Sequence, residues 1–216
     1  MNVRTGLILA VTIACLALVV LLLHGHSGAS TAAKLIASTA FVALALQSGA
    51  WSSTYGRLIF IGLVLSWCGD MFLTGQSRLA FLGGLGAFLL AHVAYVSAFI
   101  RHGYNRFWTI TAAVVVTAIA IVVWAWLEPH TPDELLIPVR AYIVVISLMV
   151  IFAVGTRGQG GSWLILIGAV LFFLSDLSVA ALRLVQTEYP TYIIGLPLYY
   201  AGQVCLALSV SQSRSH

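Results

Sequence analysis

What most limits the folds open to this chain is a succession of eight apolar runs, at 6–23, 34–50, 57–74, 79–100, 108–127, 136–154, 162–182 and 192–211. Each is about 17 to 22 residues long, the length a helix needs to cross roughly 30 Å of hydrocarbon. Composition agrees, with 61% of residues hydrophobic and 7% charged, a balance suited to lipid as solvent. In lipid every backbone N–H and C=O must be satisfied internally, which leaves helices and closed barrels as spanning structures. A barrel alternates apolar and polar residues over segments of about ten, whereas these runs are continuously apolar. The expected fold class is all-α integral membrane with eight transmembrane helices, a single polytopic domain over 1–216 with no room for a separate soluble one.

Arg4 before the first run and the small residues 27–30 after it also fit a signal peptide, but the apolar run is longer than a signal peptide's usual core. It is counted as a helix, and the even number of spans rests on it. With the N-terminus inside, the cytoplasmic loops and ends hold Arg4, Arg57, Arg101, Arg106, Arg157 and Arg214. The opposite face holds Lys34, Arg78, Arg140 and Arg183, together with Glu128, Asp133, Glu134 and Glu188. Because Lys and Arg are enriched in cytoplasmic loops, both termini are expected in the cytoplasm, with the chain in a bacterial inner membrane. The net charge of +4 needs no nucleic-acid partner.

Cys15, Cys68 and Cys205 are an odd set inside predicted spans, where a small buried hydrophobe is the ordinary reading and a disulfide framework is not. His24, His26, His102, His130 and His216 lie in loops or at the end without ligand spacing, and only His92 falls within a span. No metal site and no cofactor are expected.

The chain also reads as two copies of a four-helix unit, 1–105 and 106–216. The third span carries Val64-Leu65-Ser66-Trp67-Cys68-Gly69-Asp70 and the seventh carries Val170-Leu171-Phe172-Phe173-Leu174-Ser175-Asp176, so the two aspartates fall in register. In the next spans Gly84-Leu85-Gly86-Ala87-Phe88 sets against Gly195-Leu196-Pro197-Leu198-Tyr199, which places His92 opposite Gln203. Four helices separate the copies, so they run in the same direction, as parallel repeats about an axis along the membrane normal.

Asp70 and Asp176 are the only acids inside the predicted spans. An acid near the middle of a lipid-facing helix costs roughly 2.5 to 3.5 kcal/mol, so both are expected to face the bundle interior and one shared cavity. The competing explanation is structural: they sit near the outer ends of their spans, where interfacial water or Arg78 and Arg183 would satisfy them. That explanation leaves their equal depth in the two halves unaccounted for.

Gly69-Asp70 followed by Leu73, then Phe81, Gly84, Phe88, Ala91-His92 and Tyr95, with a later Ser175-Asp176 and Tyr200 to Gln203, resembles the YhhN and TMEM86 family of membrane lysoplasmalogenases. The resemblance runs across both halves, roughly residues 57–210. It implies hydrolysis of the vinyl ether bond of a lysoplasmalogen to a fatty aldehyde and glycerophosphoethanolamine or glycerophosphocholine. It also implies that Asp70 and Asp176 are catalytic, with a lysophospholipid substrate and membrane lipids as the partners.

Those residue types suit that chemistry. A vinyl ether is cleaved by adding a proton to the carbon beyond the enol carbon, which leaves an oxocarbenium ion for water to capture as a hemiacetal. One protonated carboxyl and one ionised carboxylate suffice, as in the two-carboxylate glycosidases.

Other residues can be set around the pair, each with a plainer alternative. Trp67, Phe172 and Phe173 lie one turn before the aspartates and could wall the site or simply pack. Arg78 and Arg183, beyond the aspartates at the outer interface, could take the lysolipid phosphate or anchor helix ends among headgroups. His92, Tyr95, Tyr199, Tyr200 and Gln203 could hydrogen-bond the carboxylates, water or substrate, or bridge helices; His92 reads as deeper than Asp70, which argues against contact between those two. A small proton-coupled transporter using the same intramembrane aspartates is the alternative function, against which stands the absence of paired interrupted helices.

Overall fold

The computed structural model describes residues 2–212. Arg214 and His216, assigned above to the cytoplasmic end, lie outside the described residues. The helices are α1 (Val3–Leu23), α2 (Ser27–Gln47), α3 (Thr54–Phe72), α4 (Arg78–His102), α5 (Arg106–Leu127), α6 (Leu136–Arg157), α7 (Trp163–Ala180) and α8 (Tyr192–Gln212). Among the described residues, eight helical stretches are long and apolar enough to span a membrane. The chain is thus a multi-pass, all-helical integral membrane protein.

Local chemistry sets the boundaries. Ser53, Ser77, Asn105 and Ser162 each accept a hydrogen bond from a backbone N–H in the first turn that follows, capping α3, α4, α5 and α7. The second helix departs from expectation, starting at Ser27 rather than at residue 34. Residues 27–33 are small and partly polar, so hydropathy does not rise there. The Ser30 and Thr31 hydroxyls nevertheless donate back to the Ser27 carbonyl at 2.7 and 3.1 Å, hiding their polarity within the helix. Lys34 therefore sits about two turns inside α2 instead of at its mouth. The end of α7 is also irregular: it widens into a π turn over Ala181–Val185 and stops at Gln186, whose φ is 57°.

α1 packs along α2, α3 along α4, α5 along α6 and α7 along α8; α2 also meets α3, and α6 meets α7. The halves are joined where α4 packs on α6 and where α8 packs on α1, α2 and α3. Half of the apolar window of α8 is buried against 17% for α5, so α8 is the central helix and α5 is turned outward to lipid. Close approach of α3 to α4 depends on Gly69, where a Cβ would come within 2.6 Å of the Phe88 ring. The middle of the bundle is an aromatic cluster around fully buried Phe172, which meets the rings of Phe88, His92, Tyr95 and Tyr199.

Candidate active site

Asp70 lies in the last turn of α3 and is 3% exposed. One carboxylate oxygen accepts the Ser38 hydroxyl from α2 at 2.6 Å and the Tyr199 hydroxyl from α8 at 2.7 Å. Tyr200 reaches the same group indirectly, its hydroxyl lying 3.3 Å from that of Ser38. The ammonium of Lys34, one turn before Ser38 on α2, is within electrostatic reach of the carboxylate. Two hydroxyl donors and a nearby cation are the surroundings of an anion.

Asp176 lies near the end of α7 and keeps 18% of its side chain exposed. It accepts the Tyr142 hydroxyl from α6 at 2.6 Å. His92 of α4 brings its Nε2 to 3.7 Å from the same oxygen. The other ring nitrogen, Nδ1, is 2.6 Å from the Phe88 carbonyl. A carbonyl can only accept, so this contact assigns the hydrogen to Nδ1 and leaves Nε2 of the neutral ring as a bare acceptor aimed at Asp176. Nε2 has no hydrogen-bond partner within the protein. The two acids are therefore held differently, Asp70 by donors and Asp176 between one donor and one acceptor.

Both aspartates line one cavity of about 460 Å³, to which all eight helices contribute. That volume falls within the usual range of roughly 300 to 1,000 Å³ for small-molecule sites. Its walls are mostly apolar, with Leu18, Leu85, Phe88, Val123, Ile143 and Phe173 among them. It extends to Gly25, His26 and Gln76, in the loops at the end of the bundle where α3 and α7 finish.

Of the other residues singled out in the sequence, Tyr199 and Arg183 line this cavity. His92 abuts Asp176 from behind, completely buried. Tyr95 and Gln203 form a separate buried bridge between α4 and α8: the Tyr95 hydroxyl donates to Gln203 Oε1 at 3.0 Å, and Ser66 lies 3.3 Å from that hydroxyl. Arg78 is elsewhere, with a largely exposed side chain paired to Glu134 and outside the cavity lining. Among the aromatics, Phe173 walls the cavity, Phe172 packs in the core, and Trp67 donates to Thr39 at 3.2 Å between α3 and α2. Sequence reasoning missed Ser38 and Tyr142, and it set Lys34 at the very start of the second span, on the outer face. Ser38 and Lys34 lie four residues apart on α2, and this i, i+4 spacing was the one available signal. Among the described residues no group of three or more His, Cys, Asp or Glu side chains could hold a metal ion.

Fold and site together define a class, a polytopic helical membrane protein with two intramembrane carboxylates opening on a single apolar cavity. Within that class the chain belongs to the YhhN family, whose model matches residues 29–210. It is 31% identical over 162 residues to lysoplasmalogenase TMEM86A of Bos taurus, covering 72% of this chain and 66% of that protein. To the lysoplasmalogenase of Mycobacterium tuberculosis (strain CDC 1551 / Oshkosh) it is 35% identical over 165 residues, covering 71% of this chain and 59% of the relative. To lysoplasmalogenase TMEM86B of Sus scrofa it is 33% identical over 134 residues, covering 62% of this chain and 55% of the relative. The matches thus span just under two thirds, or less, of these relatives' own lengths. No solved structure matches the chain.

Proposed function

We propose that this protein is a lysoplasmalogenase, hydrolysing the vinyl ether bond of a single-chain ether phospholipid to a fatty aldehyde and a glycerophosphoethanolamine or glycerophosphocholine. The observation that carries this reading is the pair of unlike aspartates on one apolar cavity, supported by the names of the relatives. An alkenyl chain fits apolar walls, and the enol ether carbons then lie between an acid and an anion.

The surroundings of each carboxyl assign the roles. Asp176 is the acid. It faces, at 3.7 Å, a bare imidazole nitrogen that has nothing to donate to its anion, and with the Tyr142 hydroxyl as its one donor the carboxyl keeps its proton. It gives this proton to carbon 2 of the alkenyl chain, and the positive charge develops on carbon 1 and the ether oxygen. Asp70 is the anion, steadied by Ser38 and Tyr199, and it faces that charge. Water adds to carbon 1 and gives its proton to Asp70. The resulting hemiacetal collapses as its hydroxyl proton leaves and the glycerol oxygen gains one, releasing the aldehyde and restoring the two protonation states. His92 and Tyr142 hold Asp176 in position and act on the reaction only through it.

The test is incubation of detergent-purified protein with a lysoplasmenyl lipid in D2O, trapping the aldehyde as it forms. The expected product carries one solvent deuteron on carbon 2, and in a parallel reaction in H2(18)O the glycerophosphoalcohol carries no labelled oxygen. No aldehyde from folded protein across several headgroups would transfer the aspartates to the proton-coupled carrier reading. The cavity lining favours the hydrolase, since it comes from one end of the bundle and its middle.

A further inference from the structure

Four basic residues stand at the end of the bundle where the cavity emerges, and they are of two kinds. Arg78 pairs with Glu134, and Arg140 pairs with Glu128 at 2.9 Å while its guanidinium also lies over the Trp124 ring. Lys34 and Arg183 have no such partner, for among the described residues neither side chain makes an ion pair. Both line the cavity, and they lie within electrostatic reach of each other. They come from distant parts of the chain, α2 and the π turn after α7, so no local constraint requires them to meet.

Two like charges facing one apolar cavity, Arg183 at its rim and Lys34 further in, repel each other, a cost that an anion between them would remove. Asp70 answers Lys34 only from a distance and from below, its carboxylate being bonded to the Ser38 and Tyr199 hydroxyls, and among the described residues no acid pairs with Arg183. The cations are also graded in depth, with Arg183 exposed at the rim and Lys34 half-buried above Asp70. A ligand matching this arrangement has an anionic group near the rim, a short polar spacer, and an apolar tail below. We propose that Lys34 and Arg183 form a phosphate subsite for a single-chain lipid headgroup, setting the glycerol backbone so that the first bond of the chain lies level with the aspartates. The lysoplasmalogenase reading supplies only the identity of the lipid; the subsite rests on the unpaired cations. Two free phosphate oxygens, one for each cation, allow a charge-assisted bond to each.

Binding, rather than turnover, tests the subsite. The probe is a saturated 1-O-alkyl glycerophosphoethanolamine, which has no vinyl ether to protonate and is not consumed. Its comparison is the 1-O-alkylglycerol of the same chain, which lacks phosphate. Full-length purified protein is expected to bind the phosphate-bearing lipid at least about tenfold more tightly than the alkylglycerol, equivalent to about 1.4 kcal/mol. Lys34→Gln and Arg183→Gln should each lose most of that preference while keeping alkylglycerol affinity, which also shows that they fold, and Lys34→Arg should retain it. Equal affinity of wild-type protein for the two lipids would overturn the subsite, as would a Lys34→Gln variant that weakens both alike. Inorganic phosphate or a fatty acid binding as tightly as the phospholipid would overturn the headgroup assignment. A phosphate preference without aldehyde release would leave the subsite standing and remove the hydrolase reading; aldehyde release without the preference would do the reverse.

Discussion

At the scale of single residues, the unequal surroundings of the two acids carry most of the chemistry. Asp70 depends on two hydroxyls contributed by helices on either side of it, Ser38 from α2 and Tyr199 from α8. Ser38→Ala or Tyr199→Phe leaves a buried carboxylate with one donor fewer, and each should cost about 1 to 3 kcal/mol of stability, read as a lower thermal midpoint in detergent, together with slower aldehyde release. Tyr200→Phe should cost less, because its hydroxyl meets Ser38 and makes no bond to the carboxylate. The aspartates themselves were legible from sequence because an acid in an apolar run has few innocent explanations. Ser38 and Tyr142 were not, since serine and tyrosine are ordinary residues in membrane helices, and only packing decides which of them meets a carboxylate. Lys34 was misplaced for a related reason. A basic residue marks the end of an apolar stretch by hydropathy, yet here it lies inside a helix whose first turns are built from small residues.

At the scale of elements, the spans followed from apolar length and the boundaries from polar residues that act as caps. Where the first turns of a helix are small and polar, as in residues 27–33, periodicity and hydropathy carry no mark of them. The helices reach their spacing through glycines that the sequence presents without saying which ones matter. Gly69→Ala should push the Phe88 ring aside. Because that ring both lines the cavity and meets Tyr199, the change should lower the thermal midpoint by an amount equivalent to about 1 to 3 kcal/mol. Gly86→Ala is the internal control: nothing lies within 4 Å of a Cβ at that position, so its midpoint should stay near that of the wild type. Equal effects from the two substitutions would show that helix propensity, and not the α3–α4 approach, governs the result.

At the scale of the whole molecule, each aspartate is served by the second helix of its own half and the last helix of the other: Asp70 by α2 and α8, Asp176 by α6 and α4. The packing of α4 on α6 and of α8 on α2 follows the same correspondence. These pairings support the two parallel four-helix repeats, 1–105 and 106–216, that we propose for the chain. We likewise propose that both termini face the cytoplasm of a bacterial inner membrane, which would open the cavity on the opposite side. Cysteines introduced near Arg101 and Arg157 should then react only with reagent on the cytoplasmic side, and those near Asp133 and Glu188 only from outside; the reverse pattern would turn the site to the cytoplasm. The central claim is that two acids from different halves act as one unit on one bond. The most direct measurement is aldehyde release from a lysoplasmenyl lipid by the wild type, Asp70→Asn, Asp176→Asn and the double variant, each first shown to be folded. Each single substitution should cost at least about 100-fold in turnover, with the double variant little worse than either, because residues acting together are not additive. Near-normal release by Asp176→Asn, or losses that multiply in the double variant, would contradict the account.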